Sequence, residues 1–299
     1  MVASLTRRGF LLAAVPAIKM TPSRHGVSLE TSRVRVGFPH NGIDTDAMRA
    51  FTQLVHQGLL DIESYLSVRF DADYFGREKI FYRVSSRVGM SSAHGSFVRF
   101  PLRRVDSRSA PYLRETTHVL MEPIGKGRPP TWLTDGFASF VESHVAETYG
   151  GYDAGVFTRG GNRTVDEEAR GHLNTTDGRR VEPFVRRSEE PPNLRRDRER
   201  TAPPYYVLSH SFVKFLVGEV GSSLVAALHG ERDLSAGLRR ETGRDTAKWK
   251  AAWLEEIAKK PKGVSESKEK PRASPADARI HIRASFPARR PRSSRLLLR

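Results

Sequence analysis

The sequence predicts an α+β fold: a small N-terminal α/β lobe with a mixed sheet, then a mainly helical lobe, then a disordered basic tail. Three observations predict it. Short stretches of alternating apolar and polar residues lie in the first third of the chain. A three- and four-residue apolar spacing runs through 44–62, between those stretches. Two further helical segments flank the break at Pro129-Pro130, and everything ordered beyond them reads as helix.

In order, Val34, Val36 and Phe38 alternate with Arg33 and Arg35, as in a strand with one buried face. Asp44 can cap a helix in which Met48, Phe51, Leu54, Val55, Leu59 and Ile62 share one face. Ile80–Val84 and Gly95–Phe100 read as two more strands, rich in β-branched and aromatic residues. Pro111 suits the first turn of a helix over Tyr112–Met121, and a second helix runs from about Thr134 to Thr148. Residues 150–204 are dominated by Gly, Pro and Arg/Glu pairs, which predicts a long, partly ordered loop. Helices resume at Tyr205–Val217, Leu224–Leu228 and Thr246–Ile257. After Lys259 no burial pattern remains, and a disordered tail is expected.

The chain has 299 residues and no cysteine, which excludes disulfides, thiolate zinc sites, iron–sulfur ligation and a cysteine nucleophile. Its hydrophobic content of 38% is too high for a wholly disordered protein. The net charge of +16 suggests a polyanionic partner, but most of it sits at the two ends. Residues 1–24 carry four basic residues and no acid, and 259–299 carry 13 basic residues against three acids. The body, 25–258, holds 33 basic and 31 acidic residues and is nearly neutral, so no specific nucleic-acid partner is expected. Binding to an anionic surface through 259–299 remains open.

Thr6-Arg7-Arg8-Gly9-Phe10-Leu11 resembles the bacterial twin-arginine export signal. It is followed by a short apolar run and by small residues around Ala17 that suit cleavage. The run from Phe10 to Ile18 is too short to span a bilayer, which takes roughly 20 residues. The resemblance implies an exported protein, periplasmic or extracellular. The expected organisation is an export signal and leader over 1–24, one domain over 25–258 that includes the loop 150–204, and the tail 259–299.

The chemistry-bearing stretch is Arg114-Glu115-Thr116-Thr117-His118, followed by Trp132-Leu133-Thr134-Asp135-Gly136-Phe137-Ala138-Ser139-Phe140-Val141-Glu142. Positions 114 and 118 are one helical turn apart and share a face. The pair of segments resembles the gluzincin branch of zinc metallopeptidases, the peptidase MA family. There a His-Glu-x-x-His helix and a second helix opening Trp-Leu-x-Glu-Gly together hold the metal. The strand Gly95–Phe100, the helix with Tyr206, Ser211 and Phe212, and the closing Glu241-Thr242-Gly243 with Trp249 and Trp253 are similar as well.

The resemblance implies that Glu115 is the water-activating base, His118 the second metal ligand and Asp135 the occupant of the third ligand position. Tyr206, or its neighbour Tyr205, would place a hydroxyl near the reacting carbonyl. Glu142, seven residues after Asp135 and on the same helix face, would support the site from behind. Arg114 stands where the first histidine ligand belongs, and a guanidinium stays protonated and cannot coordinate a metal. Asp135 is one methylene shorter than the glutamate it replaces, a retraction larger than the ~0.2 Å tolerance of a metal bond. A catalytic zinc takes three protein ligands. Zinc is therefore expected to be absent or weakly bound, with Arg114 pairing instead with Asp135 or Glu115.

No serine–histidine triad and no phosphate-binding glycine loop is visible; Gly125-x-Gly127 and Gly160-Gly161 read as loop punctuation. Three functions follow in order of expectation. The first is an exported, non-catalytic module that binds peptide, protein or envelope material. The second is an active zinc peptidase with Glu115 as base and an unforeseen ligand. The third is a polyanion- or membrane-surface binder acting through the tail. The oligomeric state is left open.

Overall fold

The fold is known from a computed structural model that describes residues 16–23, 26–125, 129–150, 164–179 and 198–259, with side chains from 202 onward in the last segment. All of them fall within one compact unit ending at Lys259. The architecture is α+β, a mixed six-stranded sheet followed by a helical region.

The strands are β1 (Lys19–Ser23), β2 (Gly26–Glu30), β3 (Val34–Phe38), β4 (Ile80–Ser85), β5 (Ser92–His94) and β6 (Phe97–Pro101), in the spatial order β1-β2-β3-β4-β6-β5. The β3–β4 and β4–β6 pairs are parallel and the others antiparallel. Between β3 and β4 the chain crosses over through α1 (Thr45–Leu66), whose N-cap Asp44 accepts from the Ala47 N–H at 2.7 Å. The predicted apolar face of α1 is buried: Phe51, Val55, Leu59 and Ile62 join Val34, Val36, Ile80, Tyr82, Val98 and Phe100 from the sheet in one core. A short helix α2 (Ala72–Phe75) precedes β4, and α3 (Leu102–Asp106) follows β6.

The helices that build the site are α4 (Tyr112–Met121) and α5 (Thr131–Tyr149). Gly58 lets α1 approach α4 closely, since a Cβ there would lie 2.7 Å from a Leu113 methyl. The Tyr82 hydroxyl and Thr116 Oγ, 2.8 Å apart, tie α4 to the sheet. After α6 (Val165–Leu173) comes α7 (Arg198–Val220), which packs on α5. Gly136 makes that packing possible, because a Cβ there would lie 2.5 Å from the Ser209 carbonyl oxygen. The chain closes through α8 (Ser222–Ala227), α9 (Leu234–Thr242) and α10 (Thr246–Ala258). The Trp253 indole N–H donates to Ser211 Oγ at 3.0 Å, and that hydroxyl donates to Asp166 at 2.8 Å, stitching α10, α7 and α6 together.

Several elements add to those expected. Strands β1, β2 and β5 and helices α2, α3 and α9 lie where the sequence shows no pattern, and β1 occupies Lys19–Ser23. Within the stretch 150–204, expected to be partly ordered, α6 is opened by a reciprocal capping box between Thr164 and Glu167. Helix α7 begins at Arg198, earlier than the expected start at Tyr205, and contains Pro203 and Pro204; Tyr206 lies inside it. The export motif and the tail from 260 lie outside the described residues. No helix among the described residues is long and apolar enough to cross a membrane.

Candidate functional site

Helices α4 and α5 bring Arg114, Glu115, His118 and Asp135 to one wall of a cavity of about 460 Å³. Tyr206 of α7 also lines it, together with His229 from the turn after α8. The edge strand of the sheet supplies a further wall through Ser92 and Ala93, preceded by Met90 and Ser91. Arg104 and Glu122 complete the charged lining.

Arg114 is the centre of this arrangement. Its Nη2 donates to Asp135 Oδ1 at 2.6 Å, and its Nη1 lies 3.9 Å from Glu115 Oε1. The guanidinium carbon sits 4.6 Å from the centre of the Tyr206 ring, a cation–π contact. His118 Nε2 approaches the same Asp135 oxygen at 3.4 Å. With 10% of its side chain exposed, Arg114 is a buried cation matched by carboxylates. Burial disfavours its charged form, but Asp135 and Glu115 outweigh that and hold it more firmly protonated than an ordinary arginine. Burial likewise works against the Asp135 anion; the Arg114 charge and the His118 contact overcome it and keep that carboxyl below its usual range.

Glu142, behind this cluster on α5, responds the other way. It is buried, and burial, reinforced by Glu115, pushes its carboxyl up to about 7 against the opposing pull of Arg114 and Arg104. It does not line the cavity. The two tyrosines separate cleanly: Tyr205 is fully buried, while Tyr206 lies under the Arg114 guanidinium.

His229 and the β5 edge were not anticipated. The His229 ring is 1% exposed, and its Nδ1 lies 3.0 Å from the Val225 carbonyl. A carbonyl only accepts, so Nδ1 carries the proton and Nε2 presents a lone pair. Burial holds this histidine neutral, with its pKa lowered to about 4. His229 Nε2 and Ser91 Oγ are buried polar atoms of the cavity residues with no hydrogen-bond partner among the described residues. The local sequence around Leu228–Gly230 carries no motif that could have flagged His229.

The donor set does not fit a catalytic zinc. His118 and Asp135 offer one nitrogen and one carboxylate, and Arg114 already occupies the Asp135 oxygen that faces His118. Among the described residues no group of three or more histidine or carboxylate side chains is placed to hold a metal ion.

No family model matches the sequence, and no curated protein matches it. Among solved structures, a mutant of the M1 zinc metallopeptidase from Deinococcus radiodurans bound to a Tyr-Ser-Ala substrate is similar at 12% identity, with a TM-score of 0.46. The unmutated enzyme is similar at 14% identity, with a TM-score of 0.43. Each match covers 82% of this chain and 53% of the other, so the chain spans about half the length of those structures.

Proposed function

We propose that this chain is a peptide-binding protein on a gluzincin-like frame, in which the Arg114 guanidinium stands in place of the metal and no hydrolysis occurs. The observation that carries the proposal is the 2.6 Å pair between Arg114 and Asp135, the residues at two of the three expected ligand positions. A fixed cation there neutralises the carboxylates that a metal would otherwise have to balance, and it shuts the position to a second cation. Glu115 keeps its place beside the cavity, but a water there has no Lewis acid to activate it.

The rest of the cavity supports a peptide as ligand. Strand β5 ends the sheet and pairs with β6 alone, leaving its other edge for an extended chain to join by backbone hydrogen bonds. His229 Nε2 is an acceptor in want of an N–H donor, and Ser91 Oγ is a hydroxyl in want of a partner. Export through the twin-arginine route belongs to the same proposal and is supported by Thr6–Leu11.

The test is metal analysis of the full chain purified without chelator, alongside hydrolysis and binding assays on a library of short unmodified peptides. Far less than one zinc per chain, peptide binding and no turnover are expected. One tightly held zinc per chain with peptide turnover would replace this proposal with the active-peptidase reading.

A further inference from the structure

The sheet face turned away from the helices is a second charged region, and its arginines do not line the cleft. The register places Arg35, Phe81, Phe97 and His94 side by side across β3, β4, β6 and β5, and Gly37, Arg83, Arg99 and Ser92 in the next row. Arg35, Arg83, Phe97, Arg99 and His94 are exposed. The Phe81 and Phe97 rings lie 5.4 Å apart. Arg77 rests its guanidinium 4.5 Å from the Phe97 ring centre and 5.2 Å from that of Phe81, and Arg35 lies 5.0 Å from Phe81. Glu30 is the one acid at the outward strand positions, and it is taken by Arg35 at 2.7 Å and Lys79 at 2.5 Å.

Arg83 and Arg99 stand opposite one another on adjacent parallel strands, and neither side chain has an ion pair or hydrogen bond among the described residues. Like charges facing each other across a strand pair destabilise the sheet. Charges on edge strands protect against aggregation, but β4 and β6 are interior strands, so that explanation does not apply. An anion bridging the pair would relieve that repulsion.

We propose that this face docks on an anionic phospholipid bilayer, with Arg35, Arg77, Arg83 and Arg99 meeting headgroup phosphates. Two features favour a lipid surface over a nucleic-acid strand. The cations are spread over three adjacent strands and the turn before β4, a broader array than a single linear backbone tracks. Guanidiniums 4.5 Å from the Phe97 ring centre and 5.0 Å from that of Phe81 already compete for the aromatic surface on which a base would stack. Arginine presents several N–H donors in a planar fork that matches phosphate oxygens, and Arg77, Arg83 and Arg99 are exposed on this side of the sheet. The proposal is independent of the cleft and of whether zinc binds there.

Co-sedimentation of the full chain with vesicles of phosphatidylcholine, with or without phosphatidylglycerol, tests it. The wild type is expected to bind the anionic vesicles and not the neutral ones. R83S/R99S is expected to lose roughly 10- to 30-fold in partition, the loss due when two arginines leave an anionic surface. R289S/R290S, which removes the same charge from the tail, is expected to change partition by no more than about twofold. The thermal midpoint of R83S/R99S should equal or exceed that of the wild type, confirming that the sheet is intact. Equal losses in the two variants, unchanged binding by R83S/R99S, or tighter arginine-dependent binding to a single-stranded oligonucleotide would overturn the assignment.

Discussion

The cleft and the outer sheet face use arginine in opposite circumstances. Arg114 is buried, bound to Asp135 at 2.6 Å, near Glu115 and stacked on Tyr206. Arg83 and Arg99 are exposed, face each other, and have no acidic partner among the described residues. A buried cation with matched anions is part of the fold, and its removal strands the charges left behind. An exposed pair without acidic partners adds no ion-pair stabilisation to the fold, and the use proposed for it lies outside the chain. The same residue type thus marks a structural substitute in one place and a docking surface in the other.

The largest effect should come from breaking the buried side of the comparison. Arg114→Met leaves Asp135 and Glu115 buried without their cation and should lower stability by ~3–5 kcal/mol in urea unfolding. Combining it with Asp135→Leu should recover most of that loss, because both charges then leave together. If the double variant is no better than the single one, Arg114 is not held in place by that pair.

Next comes Glu142→Gln. The folded-state pKa of Glu142 is raised to about 7, so the native protein retains a proton that the unfolded chain releases near the ordinary glutamate value of 4.5. Stability therefore falls as pH rises from the unfolded towards the folded pKa and is level above it. The glutamine variant should be more stable than the wild type at pH 8, by at most about 3.4 kcal/mol, and indistinguishable from it at pH 4. Parallel stability–pH curves for the two proteins would contradict the burial argument.

A smaller effect is expected at Tyr206. Replacing the ring with leucine removes the surface under the guanidinium and should cost about 1 kcal/mol, while Tyr206→Phe should be nearly neutral to stability. Equal losses for leucine and phenylalanine would shift the role from the ring to the hydroxyl.

Much of this was legible in the sequence where one face of an element is apolar. The α1 pattern from Met48 to Ile62, the Asp44 cap and the alternation in β3, β4 and β6 each announce a buried side. Strand β1 is exposed at all five positions and β5 is three residues long and polar, so neither has a pattern to detect. Helix α6 buries only Val165 and Ala169, too little to stand out among its charged neighbours. In the site, the spacing of Arg114 and His118 and the position of Asp135 were enough to place them together. The choice between Tyr205 and Tyr206 needed the helix itself, since successive residues point about 100° apart. His229 arrives from a turn more than a hundred residues along the chain from α4, and no local signal reports such a meeting.

The central claim, that a guanidinium has taken the place of a metal, is tested most directly by restoring the ligands. Wild type and Arg114→His/Asp135→Glu, both full length and equilibrated with zinc, can be compared for bound metal after gel filtration. The account predicts little or no zinc on the wild type and about one per chain on the double variant, completed by His118. A full equivalent on the wild type, or no gain in the double variant, would contradict it.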